Sequence, residues 1–186
     1  MRATFGRYAP IVIVAAGFFI LPFIVHRLFP TTLPATLPAV HEPRPVPPID
    51  FQDADGRKLT LERFRGRFVL LNVWATWCGP CKAEMPSLNA LASHIPEGAL
   101  AVVPVSIDLS GAVAVRRYYQ QLALDKLPIF VDPQSEAMHA LGVIGIPTTL
   151  LIDRDGREIA RQIGPLQWDA PAVIDGIAKI IAEHPS

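Results

Sequence analysis

The sequence of 186 residues has few cysteines, only Cys78 and Cys81. A structural zinc site needs four ligands, and the five histidines lie too far apart to supply the paired spacing that such sites use. A disulfide between Cys78 and Cys81 would also be a weak structural cross-link, because loop-closure stabilisation grows with the length of the loop. The pair is therefore better explained by redox chemistry than by metal binding or stabilisation.

The sequence also lacks any excess of charge. Lys and Arg together number 17, Asp and Glu together number 17, and no basic cluster stands out. A basic patch is the electrostatic footprint of a nucleic-acid-binding protein, so no nucleic-acid partner is expected.

Acidic residues are absent from residues 1–41. Within this region residues 9–25 carry no charged or strongly polar side chain, and Arg2 and Arg7 precede them. Continued to residue 29, the run gives about 31 Å of helix, which can span a bilayer. Basic residues ahead of the run predict a cytoplasmic N-terminus. We therefore expect residues 1–29 to be a signal anchor with one transmembrane helix; a cleavable signal peptide is the alternative.

Proline is concentrated after this run. Residues 30–48 hold seven of the 19 prolines, which predicts an extended tether of roughly 60 Å at about 3.1 Å per residue. From Ile49 the pattern becomes globular, and 51% of the whole chain is apolar, sufficient for a core. We expect one folded domain at residues 49–186.

Within that domain, apolar runs alternate with turn signals. Asp55-Gly56 and Asp155-Gly156 each predict a hairpin turn, and Phe68 to Ala75 predicts a buried central strand. Pro104 predicts a sheet edge or a bulge. The predicted elements are a hairpin at 49–60, a helical turn at 61–64, strands at 68–75, 99–107, 128–131, 148–152 and 157–163, and helices at 82–92, 113–122, 135–141 and after an N-cap at Asp169.

The two cysteines lie between the central strand and the first predicted helix. At a helix N-terminus, unpaired backbone N–H groups and the helix dipole favour a thiolate over a thiol. Cys78 is therefore expected to be the attacking sulfur. Cys81, one turn further into the helix, is expected to be the resolving thiol that releases a mixed disulfide.

Several motifs together resemble a thioredoxin-fold protein: Trp77-Cys78-Gly79-Pro80-Cys81, Gly145-Ile146-Pro147-Thr148 and Asp155-Gly156. With Asn72 to Thr76 before the cysteines and a Cys-x-x-Glu-x-Pro pattern at Cys81 to Pro86, the chain is most similar to the membrane-anchored TlpA/ResA/CcmG-like thiol:disulfide interchange proteins. The segment Ile163 to Trp168 resembles the TlpA subgroup.

The resemblance implies an α/β thioredoxin fold, a central mixed sheet flanked by helices, with an N-terminal hairpin extension and an insertion at Asp108 to Leu141. It also implies that Pro147 is a cis-proline beside the disulfide and that Ile146 offers backbone groups to an extended substrate. A trans turn proline is the alternative. Trp77 would shield the sulfurs, and Trp74 is expected in the core.

Further roles implied by the resemblance concern substrate contact and proton transfer. Gly79 and Pro80 would contact substrate together with Trp77, Ile146 and Pro147. Asn72 stands where thioredoxin itself has a buried acid, which leaves Glu84 as the candidate proton acceptor for Cys81. A solvated Glu on the helix surface is the alternative.

The function implied is that of an exported dithiol reductant, with the Cys78–Cys81 disulfide as its redox centre and no cofactor or metal. Its clients would be copper-site assembly proteins of cytochrome oxidase or apocytochrome c, and a transmembrane thiol donor would re-reduce it. We expect a monomer, anchored in the bacterial inner membrane by a single pass, with its domain in the periplasm. A copper-handling assembly factor and a thiol peroxidase are the alternatives.

Overall fold

The computed structural model describes residues 37–95 and 98–184. The strands are β1 (Ala39–Pro45), β2 (Asp50–Asp53), β3 (Lys58–Thr60), β4 (Phe68–Trp74), β5 (Leu100–Ser106), β6 (Phe130–Val131), β7 (Thr148–Ile152) and β8 (Arg157–Ile163). The α-helices are α1 (Gly79–His94), α2 (Ala112–Leu122), α3 (Glu136–Ala140) and α4 (Pro171–Glu183), and a 3₁₀ helix lies at Leu61–Phe64.

All described strands form one mixed sheet in the order β1-β8-β7-β4-β5-β6-β2-β3. β4 lies between the parallel strand β5 and the antiparallel strand β7. Every residue of β4 is buried, which confirms the central strand predicted from its continuous apolar run. The α/β thioredoxin architecture is thus as predicted.

Both predicted hairpins are present. β2 pairs with β3, and β7 pairs with β8, each pair antiparallel. The turns contain Gly56 and Gly156 with φ of 80° and 78°, a region that glycine occupies without steric cost. The local turn chemistry of the two Asp-Gly pairs therefore determined these connections.

Pro104 lies in an interior strand, so the prediction of an edge strand or bulge is wrong for β5. In register it pairs with Asn72 of β4. The other neighbour, β6, pairs with β5 only at Val105 and Ser106. A proline is tolerated because it precedes this second ladder, so its missing N–H is not needed there.

The strand β1 corrects the predicted domain boundary. Residues 39–45 were expected in the extended tether, but they pair with β8 at one edge of the sheet. The Arg44 guanidinium lies 3.1 Å from the carboxylate of Glu158, which is itself buried. Prolines fit this strand because an edge strand has ladder positions without a partner. The folded region therefore begins by Leu37, which is buried, rather than at Ile49.

The predicted signal anchor at residues 1–29 and the first part of the predicted tether, to residue 36, lie outside the described residues. Within the ranges 37–95 and 98–184, no helix has both the length and the apolar character needed to cross a membrane.

The C-terminal helix α4 presents an apolar stripe to the core, but its cap differs from the prediction. The N-cap is Ala170, without a side-chain hydrogen bond, and Asp169 instead accepts a hydrogen bond from Gln167 at 2.6 Å. Pro171 lies at the first helical position, where an N–H would have had no helical partner, and the N–H of Val173 donates to the carbonyl of Ala170 at 2.9 Å. The buried members of the stripe are Val173, Ile177 and Ile180.

The predicted insertion, residues 108–141, contributes α2, β6 and α3. The ring of Tyr119 stacks on that of Trp74, with 5.9 Å between centroids and 9° between planes. Trp74 is fully buried, as predicted, and Tyr119 is buried too. Leu122 is exposed, so the buried face of α2 ends at Tyr119.

Candidate active site

Four segments meet at one end of the strands, which is called the active-site edge of the sheet below. They follow β4 (residues 75–81), follow β5 (107–111), precede β7 (143–147) and follow β8 (163–168). β7 is antiparallel to β4, so its start lies beside the end of β4, with Thr148 paired to Val73. Both cysteines and the cis-proline motif therefore come together at this edge.

Cys78 and Cys81 are joined by a disulfide. Cys78 is the N-cap residue of α1, and its sulfur accepts a hydrogen bond from the backbone N–H of Cys81 at 3.2 Å. Cys78 retains 7% exposure, whereas Cys81 is completely buried. An N–H donor and a helix N-terminus both favour a thiolate at Cys78, so the geometry fits the predicted division into attacking and resolving sulfurs.

The loop before β7 lies against Cys78. The peptide bond between Ile146 and Pro147 is cis, as predicted. The carbonyl oxygen of Ile146 is 3.6 Å from the Cys78 sulfur, and the carbonyl of Pro147 accepts a hydrogen bond from the N–H of Gly164 at 2.9 Å. The loop is thereby attached both to the disulfide and to the segment after β8.

Three further predicted substrate-contacting residues surround the cysteines. Trp77 is 65% exposed, and Gly79 and Pro80 are exposed at the start of α1. A Cβ atom built on Gly79 would meet nothing within 4 Å, so no close contact requires glycine there. These residues are accessible to a client, and their role in binding stays a prediction.

Glu84 is buried, so the alternative of a solvated surface Glu is wrong. One carboxylate oxygen accepts a hydrogen bond from the Asn72 amide at 2.8 Å. The other accepts hydrogen bonds from the N–H of Leu166 at 3.0 Å and from the indole N–H of Trp168 at 3.1 Å. Glu84 follows Cys81 by three positions on α1, which corresponds to about 5–6 Å between Cβ atoms.

Burial raises the pKa of Glu84 to about 7, although the hydrogen bonds from Asn72, Leu166 and Trp168 act in the opposite direction. A carboxyl group with this pKa is present in both protonation states near neutral pH. It therefore has the acid–base property required of a group that exchanges a proton with a thiol. Whether it serves Cys81 stays a prediction.

Two polar residues that position this edge were missed by the sequence analysis. Asp108, buried at the end of β5, accepts hydrogen bonds from the N–H and hydroxyl of Thr76 at 2.8 Å and 2.6 Å. Ser87, buried on α1, accepts a hydrogen bond from the N–H of Trp168 at 3.0 Å. The location of Asp108 directly after an apolar strand at the cysteine-bearing edge was the signal that could have found it.

A resident metal was not expected at this site. In the part of the chain that the structure describes, no group of three or more His, Cys, Asp or Glu side chains could hold a metal ion.

The fold, with a cysteine pair at the N-terminus of the helix that follows the central strand, is that of a thioredoxin-fold protein. The sequence profile of the family Redoxin matches residues 39–177, and the chain belongs to this family. The matched range begins at β1, in agreement with the corrected domain boundary.

The chain is similar to proteins that are named thiol-disulfide oxidoreductases. The chain is 38% identical over 107 residues to the thiol-disulfide oxidoreductase ResA of Bacillus thuringiensis, covering 58% of this chain and 61% of that one. It is 28% identical over 121 residues to ResA of Bacillus subtilis, covering 65% and 66%. The match thus spans less than two thirds of the length of these relatives.

Solved structures agree with the fold. The thiol:disulfide interchange protein DsbE of Chlorobium tepidum superimposes with a TM-score of 0.67 and 25% identity, over 76% of this chain and 99% of that one. StoA of Bacillus subtilis gives a TM-score of 0.58 and 23% identity over 73% and 96%, which concerns the fold alone. The predicted likeness to the TlpA/ResA/CcmG-like group is confirmed.

Proposed function

We propose that this protein is a thiol:disulfide oxidoreductase that reduces disulfides in client proteins. The observation that carries the proposal is the asymmetry of the cysteine pair: Cys78 retains 7% exposure at a helix N-terminus beside Ile146, while Cys81 is completely buried. A sulfur in the first position can be reached by a client, and a sulfur in the second can be reached only by Cys78.

The reaction transfers two electrons from the dithiol to the client disulfide. The Cys78 thiolate attacks one client sulfur, forms a mixed disulfide and releases the other client sulfur as a thiolate. Cys81 then attacks Cys78, and the client leaves with both sulfurs reduced while the Cys78–Cys81 disulfide forms. A thiol donor must reduce this disulfide again, and Glu84 is the proposed acceptor of the Cys81 proton.

The direction of transfer is proposed from the residues between the cysteines. Gly79-Pro80 is the pair found in reducing thioredoxins, whose potential is near −270 mV. Equilibration of the protein with glutathione, followed by thiol alkylation, measures the potential of the Cys78–Cys81 couple. A value more oxidising than about −200 mV would contradict a dedicated reductant, because isomerases and oxidants have such potentials.

We further propose a single-pass anchor at residues 1–29 in the bacterial inner membrane, with the folded domain in the periplasm and a transmembrane thiol donor. The support is the apolar run after Arg2 and Arg7 in a region without acidic residues. Membrane fractionation followed by N-terminal sequencing tests it. A soluble mature chain that starts between about residues 30 and 42 would identify a cleaved signal peptide instead.

For clients we propose copper-site assembly proteins of cytochrome oxidase ahead of apocytochrome c, because Gly164 to Trp168 resembles the TlpA subgroup. In Cys81→Ser, attack by Cys78 should stall at the mixed disulfide, which non-reducing electrophoresis can isolate from cells. Apocytochromes or many unrelated exported proteins among the captured chains would refute this assignment while leaving the reductase chemistry intact.

A further inference from the structure

A groove of about 510 Å³ lies at the end of the strands opposite the active-site edge. It is bordered by the 3₁₀ helix, the starts of β4 and β5, the end of α1 and the segment before β6, and we call it the distal groove. β4 has seven residues, so its two ends are about 20 Å apart. The distal groove is therefore separate from the cysteine pair, which follows the end of β4.

The distal groove is positively charged. Its described lining contains three basic residues and no acidic one: Arg63, Arg67 and Lys126. Two acidic residues next to this set along the chain already have partners. Glu62 accepts hydrogen bonds from the Arg65 guanidinium at 2.8 Å and 2.9 Å, and the Asp125 carboxylate lies 3.3 Å from the Lys126 ammonium. The charges of the two arginines are therefore not compensated by these acids.

Arg67 gives the strongest indication that the distal groove binds an anion. Its Nε atom is buried and has no hydrogen-bond partner. Within residues 37–95 and 98–184, neither Arg67 nor Arg63 has a side-chain hydrogen bond or an ion pair. A buried N–H without an acceptor costs free energy, and a planar guanidinium matches the oxygen atoms of a phosphate group. A bound oxyanion would supply the acceptor that the Arg67 side chain lacks.

The walls of the distal groove are mostly apolar. Ile95 at the end of α1 and Val102 in β5 are half-buried there, and Pro128 before β6 is exposed. A hydrated inorganic ion gains nothing from contact with such side chains, whereas a molecule with a hydrocarbon part does. The combination of unpaired guanidinium groups and apolar walls therefore favours an amphiphilic anion.

The proposed anchor would keep the folded domain close to a supply of such anions. The anchor ends at residue 29 and the folded region begins by Leu37, so the connection is residues 30–37. Even a fully extended chain of eight residues covers at most about 29 Å. Basic groups near an anionic membrane surface are attracted to its lipid headgroups. An anionic phospholipid is therefore the amphiphilic anion to which this chain would have the most ready access.

We propose that the distal groove binds the phosphate group of an anionic phospholipid at the membrane surface, with Arg63, Arg67 and Lys126 as its cationic ligands. This inference goes beyond the oxidoreductase activity and rests on the proposed anchor for access to the lipid. Arg67 offers the phosphate oxygens a guanidinium without another partner, and the apolar walls contact the start of the acyl chains. Binding at this end of the strands leaves Cys78, at the opposite end, free to react with clients.

Arginine modification tests the proposal on the full chain reconstituted in vesicles, either of phosphatidylcholine alone or of phosphatidylcholine with phosphatidylglycerol. Phenylglyoxal reacts with accessible guanidinium groups, and mass spectrometry of peptides gives a rate for each arginine. We expect phosphatidylglycerol to slow the modification of Arg63 and Arg67 at least about threefold, because an occupied site is protected in proportion to the bound fraction. Arg117, exposed on α2 and outside the lining of the distal groove, is the internal control and should change less than about 1.5-fold.

The variant is Lys126→Gln, which removes the third cation and leaves both reporting arginines in place. Its matched control is Lys58→Gln, at an exposed lysine on β3 outside the lining of the distal groove. We expect Lys126→Gln to require about fivefold more phosphatidylglycerol for the same protection of Arg67, because one attraction to the anionic surface is lost. Lys58→Gln should stay within a factor of about two of the wild type.

Equal slowing of Arg117 and Arg67 would overturn the site, because it would reflect general closeness to the bilayer. Inorganic phosphate added to the phosphatidylcholine vesicles separates the two sources of the anion: protection by phosphate and not by phosphatidylglycerol would overturn the lipid assignment. Unchanged rates with both would overturn the proposal and leave the cations as a complement to the C-terminal end of α1. Flotation of the full chain with phosphatidylcholine vesicles tests the anchor by itself, and reduction of a disulfide substrate tests the oxidoreductase activity independently of both.

Discussion

The hydroxyl of Tyr118 donates a hydrogen bond to the backbone carbonyl of Lys82 at 3.0 Å. In an uninterrupted helix that carbonyl would accept from the residue four positions later, but this residue is Pro86, which has no N–H. The helix α2 of the insertion thus supplies the partner that α1 lacks, next to the resolving cysteine Cys81.

Tyr118→Phe is therefore expected to destabilise the protein by about 0.5–1.5 kcal/mol. In a Pro86→Ala background the new N–H can satisfy the Lys82 carbonyl, so the same substitution should cost little. Denaturant unfolding of the four proteins measures the coupling as a double-mutant cycle. An equal cost of Tyr118→Phe in both backgrounds would show that the hydroxyl does not replace the missing helical bond.

Ser87→Ala tests the attachment of the segment after β8 to α1. The Ser87 hydroxyl accepts from the Trp168 N–H, and without it this buried donor has no partner, so we expect a loss of about 1–3 kcal/mol. Ser93→Ala on the same helix is the control, because its exposed hydroxyl bonds only to local groups. Chemical denaturation compares the two; similar small losses would mean that the segment is held by packing alone.

Glu84 should make stability depend on pH. Its folded-state pKa of about 7 lies above the ordinary value of 4.5, because burial disfavours the carboxylate. Between these values the folded state binds more protons, so the free energy of unfolding decreases as pH rises through the window, by up to about 3 kcal/mol. From about one pH unit above this pKa the loss of stability is complete and no longer changes with pH.

Glu84→Gln should remove this contribution. The Asn72 side-chain oxygen is buried without a hydrogen-bond partner, and after a turn of the amide it can accept from the side-chain N–H that the substitution introduces. Unfolding by denaturant at pH 5 and pH 8, on the oxidised protein so that the cysteines do not titrate, gives the difference between wild type and variant. A difference that does not change with pH would show that Glu84 keeps an ordinary pKa.

Much of the fold could be predicted because its signals are local. The Asp-Gly turns define hairpins within a few residues, and the continuous apolar run of β4 marks a strand buried on both faces. The strand β1 could not be predicted, because its prolines are typical of an extended tether. Only its pairing with the distant strand β8 makes it part of the sheet. The prediction that residues 30–48 form a linker is therefore wrong at residues 39–45, where pairing with a distant strand decides the structure.

The same distinction between local signals and long-range contacts applies to the site. The cysteines and the Ile146–Pro147 loop carry recognisable short motifs. The partners of Glu84 do not, because Leu166 and Trp168 follow it by more than 80 positions along the chain. The link between Asp108 and Thr76 spans 32 positions and likewise depends on the adjacency of β4 and β5.

Glu84 also gives a chemical prediction for the resolving thiol. A carboxylate one helical turn from Cys81 disfavours the Cys81 thiolate electrostatically, and the same group can accept the Cys81 proton when the mixed disulfide is resolved. We therefore expect Glu84→Gln to lower the pKa of Cys81 while slowing turnover. In a Cys78→Ser background Cys81 is the only thiol, so the ultraviolet absorbance of its thiolate as a function of pH gives that pKa with and without Glu84→Gln.

Turnover is measured with the cysteine pair intact, as the rate at which the reduced protein converts a client disulfide into two free thiols, because the second thiol appears only when Cys81 resolves the mixed disulfide. Glu183→Gln, at an exposed position on α4, is the control for a general effect of removing one negative charge. If Glu84→Gln leaves both the Cys81 titration and the rate of resolution at the values of this control, Glu84 does not act on the thiol. The remaining role of its carboxylate is then to hold Leu166 and Trp168 against α1, because those two hydrogen bonds do not depend on the chemistry of Cys81.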